Sequence, residues 1–158
     1  MKRLIWTLLF AAALAAGSVA AQEKSAEQNM QILRDKVKAD KKLLVAANMQ
    51  LTDAEAKGFW PVYDAYQNDL QAINGRLGKV IAAYADGYNK NTLTDEQAQK
   101  LTAEVIAIEQ SEVNLRKSYA DKLAKALPGK KAARYLQIES KIRALVRYEL
   151  AANIPLVE

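Results

Sequence analysis

The chain has no cysteine and no histidine. Without cysteine no disulfide can form, so packing alone must hold the fold. Without histidine there is no Ser-His-Asp triad, no imidazole acid–base chemistry and no zinc in its usual nitrogen and sulfur sites. A carboxylate-only metal site stays open on composition. Glycine and proline are sparse, at 6 and 3 of 158 residues, and no Gly-x-x-x-x-Gly-Lys run occurs to cradle a phosphate. No stretch of four or more residues alternates convincingly with period two, so no sheet is expected. Past residue 21 no apolar run is long enough to span a bilayer. These absences point to a protein without cofactor that is not an enzyme.

What is present begins with an export pattern. Lys2 and Arg3 precede an apolar run from Leu4 to Ala16, and small residues lead to Ser18-Val19-Ala20-Ala21. This reads as a signal peptide over residues 1–21, cut after Ala20 or Ala21. A transmembrane helix would need roughly 20 apolar residues. The expected mature chain, residues 22–158, is a single all-helical domain in the periplasm. Its net charge is +3, against +5 for the whole chain, which gives no reason to expect nucleic acid.

Four helices are read after the signal. The first, from Ser25 to Asn48, carries Met30, Leu33, Val37, Leu44 and Ala47 on a stripe that continues to Leu51. The second carries Phe59, Tyr63, Tyr66, Leu70, Ile73, Leu77, Val80 and Tyr84 at alternating spacings of four and three, as in a paired-helix seam. Pro61, beside Gly58, predicts a kink there, and Gly75 and Gly78 predict a bend or a close helix approach. Gly87 to Asn91 reads as a turn. The third helix shows Leu101, Val105, Ile108, Glu112, Leu115, Tyr119, Leu123 and Leu127 before Pro128-Gly129 stops it. The fourth, from Lys130 to Asn153, shows Tyr135, Ile138, Ile142, Leu145 and Glu149 on one face, with Pro155 beyond it. Short connections between long helices predict an all-α, antiparallel bundle of helical hairpins.

The second and third helices open alike, with Leu51-Thr52-x-x-Glu55 and Leu93-Thr94-x-x-Gln97. Each is a capping box: the threonine hydroxyl accepts from the backbone three residues on, and the Glu or Gln side chain reaches back. The duplicated opening resembles the LTxxQ repeat of the Spy and CpxP family of periplasmic stress proteins. The second copy matches in full, and the first has Glu55 where the family has Gln. Phe59-Trp60-Pro61-Val62-Tyr63 and the fourth helix fall outside the family pattern and mark a divergent branch. The resemblance implies a small ATP-independent chaperone or envelope-stress accessory protein. It also implies a homodimer of helical hairpins that offers a basic, partly apolar surface to unfolded or envelope proteins. Metal-sensing relatives bind through His and Met clusters, which this chain lacks.

Charge is uneven along the chain. Leu51 to Leu115 is net −5, and Arg116 to Arg147 is net +8. The two stretches can neutralise each other, or the basic one can face a partner. The candidate client or partner contacts are Trp60, Lys130, Lys131, Arg134, Arg147 and Tyr148. The remaining aromatic residues, at helical spacing, are read as core. Glu109, Glu112, Glu139 and Glu149 lie on or beside apolar stripes, where a di-iron bundle would also need Glu-x-x-His pairs. Salt bridges to Arg116, Arg143 or Arg147 are expected instead. The alternative functions are an adaptor that docks one folded envelope partner and a carboxylate-based metal sensor.

Overall fold

A computed structural model describes residues 39–157. The signal segment 1–21 and the first helix up to residue 38, with Met30, Leu33 and Val37, lie outside the described residues. The described residues are all-α and contain no strand. They comprise α1 (residues 39–49), α2 (Asp53–Asn89), α3 (Asp95–Ala126) and α4 (Gly129–Asn153). None of these helices is long and apolar enough to cross a membrane. The chain divides into two units between Asn48 and Met49.

In the first unit, the expected stripe on α1 is corrected. Leu44 is 48 % exposed and Ala47 is exposed, whereas Val45 is fully buried. Leu43-Leu44-Val45-Ala46 is a continuous apolar run, so periodicity alone does not single out the inward side.

The second unit is built on an antiparallel hairpin. The backbones of α2 and α3 pack closely, and α4 returns against α3 over a shorter stretch. The α2 seam falls where the spacing puts it. Phe59, Tyr63, Tyr66 and Val80 are buried, and Leu70, Ile73, Leu77 and Tyr84 are half-buried. On α3 the expected stripe is inward throughout, with Ile108, Glu112, Tyr119 and Leu123 buried and Leu127 buried just beyond the helix. The expected face of α4 holds at Tyr135, which is buried, and at Ile138 and Ile142, which are half-buried. It is corrected otherwise: Ala132 and Glu139 are buried instead of Leu145 and Glu149. Leu145 is 64 % exposed and Glu149 is exposed. The reason is Glu139, whose carboxylate accepts from Gln67 Nε2 at 2.8 Å and so turns a charged residue inward.

The connection between α2 and α3 also differs from its expected form. Gly87 to Asn89 are still helical, and Asn91 takes the left-handed conformation at φ 52°. Thr92 N–H bonds Gly87 C=O at 2.9 Å and Asn91 N–H bonds Tyr88 C=O at 3.0 Å. That pair of bonds is a Schellman termination, with asparagine where glycine is usual. Gly87 serves packing instead: a Cβ there would meet Leu93 Cδ1 at 3.2 Å. At Gly58 a Cβ would sit 3.5 Å from the Ala126 carbonyl oxygen, an ordinary contact that does not require glycine. Gly75 and Gly78, expected at a bend or close approach, face no atom within 4 Å. α2 runs unbroken through Pro61, whose ring is exposed. The hydrogen bond it denies to the Lys57 carbonyl is therefore lost on the solvent side.

Both capping boxes are formed. Glu55 N–H donates to Thr52 Oγ1 and Thr52 N–H to Glu55 Oε2, at 3.3 and 2.8 Å. The same reciprocal bonds join Thr94 and Gln97 at 3.2 and 2.9 Å. Because the hairpin is antiparallel, the two caps stand at opposite ends of it. Thr52→Ala and Thr94→Ala should each lower stability by about 1 kcal/mol in denaturant titration. A change below about 0.3 kcal/mol at both sites would mean that the caps contribute nothing measurable.

Candidate functional site

Two regions of the second unit carry its distinctive side chains, one at each end of the hairpin. At the first end, the N-terminal half of α2, the C-terminal half of α3 and the start of α4 converge on aromatic rings. Phe59 sits 5.0 Å from Tyr135, ring to ring, and Tyr66 lies 5.3 Å from Tyr119 and 6.0 Å from Tyr135, all edge-on. Edge-on pairing sets the positive ring edge against the negative face, adding about 0.5–1.5 kcal/mol per pair beyond area burial. Rings of this length let α4 reach α2 where the two backbones do not approach closely. Hydrogen bonds fix the register. Gln67 Nε2 also donates to Tyr135 Oη at 3.2 Å, and Tyr119 Oη donates to Asp69 Oδ2 at 2.6 Å.

This packing keeps the phenols protonated. Burial pushes the hydroxyls of Tyr63, Tyr66 and Tyr119 up to about 12, and that of Tyr135 further in the same direction. Nearby Glu139 adds to the rise at Tyr63, Tyr66 and Tyr135. A raised folded-state value means full stability below the unfolded value of 10.0, lost as pH climbs towards about 12. Thermal melts across that window should fall more steeply for the wild type than for Tyr66→Phe. Parallel curves would remove tyrosine ionisation as the cause.

The residues singled out in the sequence do not gather into one site. Trp60 is half-buried, edge-on to Phe59 at 5.0 Å and to Tyr63 at 5.3 Å. Lys131 pairs with Glu55 and donates to the Gln50 carbonyl at 2.9 Å, so it ties α4 to the start of α2. The Lys131 ammonium and the cap bond from Thr52 hold the Glu55 carboxyl below its usual range. Arg147 bridges Glu109 at 2.6 Å and Glu112 at 3.0 Å on α3. Lys130, Arg134 and Tyr148 are exposed. They share one side of α4 with Lys141 and Leu145, since positions four, seven or eleven apart fall together on a helix. Of the motif residues, Leu51 and Leu93 are half-buried beside their caps. The four singled-out glutamates also part company. Glu109 and Glu112 share Arg147, Glu139 takes Gln67, and Glu149 is exposed. Among the described residues no three carboxylates are grouped as a metal ion would need.

The second region is one the sequence reading missed. At the other end of the hairpin, an apolar groove of about 570 Å³ opens between α2, α3 and the last turns of α4. Leu77 and Val80 of α2, Leu101 and Val105 of α3 and Leu150 of α4 line it. Among the described residues that line it, only Tyr84, Thr102 and Arg147 carry a polar side chain. The rings that bridge α2 to α4 at the first end give way here to shorter side chains, and Val146 of α4 is left 52 % exposed. Residues Ile154 to Val157 pass along the groove, and Tyr84 Oη donates to the Pro155 carbonyl at 3.0 Å. Ile106, 61 % exposed, stands at its rim. The available signal was the apolar Ile-Pro-Leu-Val run after the fourth helix. No family model, curated protein or solved structure gives a significant match to this chain.

Proposed function

We propose that this protein is exported to the periplasm and there holds apolar stretches of non-native proteins without nucleotide, as a chaperone-like envelope protein of the Spy and CpxP type. The observation that carries the reading is the apolar groove, which the described core leaves unfilled. Exposed apolar side chains line it: Ile106, Leu156 and Val157 are each more than half exposed. Contiguous exposed apolar surface on a soluble chain marks an interaction site. The export pattern at residues 1–21 and the paired LT caps agree with it. The exposed row of Lys130, Arg134 and Lys141 on α4 adds a basic side for acidic clients.

The experiment is light scattering from a reduced, aggregating client with equimolar protein and no ATP, over a salt series. Suppression should weaken as salt rises, because exposed charges are screened beyond about 8 Å at physiological ionic strength. Apolar contacts should keep a residue of activity at high salt. A second reading, an adaptor for one folded partner, draws support from Lys131 and Arg147. Both are committed to internal ion pairs, which narrows the basic surface left for loose capture. No suppression at any salt, with tight binding to one folded envelope protein, would favour the adaptor.

A further inference from the structure

We infer that the groove is a binding site for an extended apolar peptide segment, and that the chain's own Ile154–Val157 competes for it. This deepens the client-holding reading and rests on it. The occupant's chemistry is read from the segment already seated there. Ile154 has extended backbone at φ −97° and ψ 117°, and the three residues after it are apolar. Pro155 contributes no N–H, and beyond the Ile154 N–H that closes α4 on Leu150 the segment's described hydrogen bond to the groove is through the Pro155 carbonyl. Tyr84 supplies the matching donor.

The groove's other polar groups are engaged elsewhere. Thr102 Oγ1 donates back to the Ala98 carbonyl at 2.9 Å, and Arg147 is held by Glu109 and Glu112. An acyl chain with an anionic headgroup would find no uncommitted cation among the described lining residues. An uncharged backbone carbonyl flanked by apolar side chains fits what is offered. The volume lies within the range of about 300–1,000 Å³ usual for small-ligand sites, room for a few residues.

The segment is seated shallowly. Leu156 is 87 % exposed and Val157 is 61 % exposed although both line the groove. Side chains left in water forgo most of the stabilisation that burial would give. The strap therefore covers the groove without filling it, and a peptide that inserts its side chains displaces it.

The test is fluorescence anisotropy of a labelled, end-capped peptide of residues 153–157. It is titrated with the full protein, with a chain stopped after Ile154, and with Ile106→Glu in each. Stopping after Ile154 keeps the bond from its N–H to the Leu150 carbonyl that ends α4. The shortened chain should bind about tenfold tighter, as expected if the strap leaves the groove free about a tenth of the time. Ile106→Glu is exposed and should leave the melting curve in place while weakening binding in both backgrounds. Equal affinity of full and shortened chains would overturn the inference. So would unchanged affinity in a normally melting Ile106→Glu, or a shortened chain that doubles in mass on sedimentation and ignores the peptide. Aggregation suppression without peptide binding would sink the groove assignment and spare the holding reading; peptide binding without suppression would do the reverse.

Discussion

Phe59→Ala should lower the stability of the protein by about 3–5 kcal/mol, the cost usual for removing a fully buried aromatic ring. Phe59 has no accessible surface and lies against Trp60, Tyr63 and Tyr135, with ring centroids 5.0 to 5.9 Å away. The surrounding rings are stiff and cannot collapse far into the space, so the cavity term adds to the lost transfer energy. A domain of this size has about 5–15 kcal/mol in total, which brings the variant near the point of unfolding at ambient temperature. Tyr148→Ala, on an exposed aromatic, should stay within about 0.5 kcal/mol. Urea titration of both variants makes the comparison. Similar midpoints would mean that the aromatic end is not the core.

Arg147→Ala should cost about 2–3 kcal/mol, an estimate in which the two arms of the bridge weigh differently. Its arm to Glu109 joins side chains 41 % and 49 % exposed, where an ion pair contributes at most about 1 kcal/mol. The arm to Glu112 ends on a carboxylate only 8 % accessible. Deleting the guanidinium strands that charge, and an unsatisfied buried group costs about 1–3 kcal/mol, more when ionised. Replacing both ends with apolar residues removes the stranded charge, so Arg147→Met with Glu112→Leu should recover most of the loss. If the double variant is no more stable than Arg147→Ala, the buried carboxylate is not the source of the cost.

What could be read in the sequence was local. The capping boxes at Thr52 and Thr94 involve residues three apart, so the motif and the geometry coincide. The α3 stripe was legible because its spacing of three and four holds from Leu101 to Leu127, long enough to fix the inward side across the apolar run at 105–108. Ion pairing of the stripe glutamates was expected, with Arg116, Arg143 and Arg147 all open as partners; Arg147 takes Glu109 and Glu112. Where the reading failed, the deciding partner was distant or the local pattern ambiguous. Glu139 was read on or beside the apolar stripe, but with an arginine as its expected partner; a bond it accepts comes from Gln67, 72 positions away. The four consecutive apolar residues at 43–46 could present any side of α1. The groove belongs to three helices at once, and its strap looked like a helix end with a proline after it. Glycine was read for a bend or a close helix approach at positions 75 and 78, whereas the crowded glycine is Gly87, against Leu93 of the connection.

The long-ring bridge between α2 and α4 has a consequence for how the molecule breathes. The described contacts of α4 with α2 are concentrated at Tyr135 and Glu139, in its first half. Beyond Ser140 its packing rests on half-buried residues and the Arg147 bridge, with Leu145, Val146 and Tyr148 facing water. Regions with few buried contacts open locally at a fraction of the global unfolding free energy. In hydrogen exchange, amides after Ser140 should lose protection while the α2–α3 hairpin keeps its own. The last three turns of α4 can then lift as a unit, widening the groove they border and leaving the aromatic end closed.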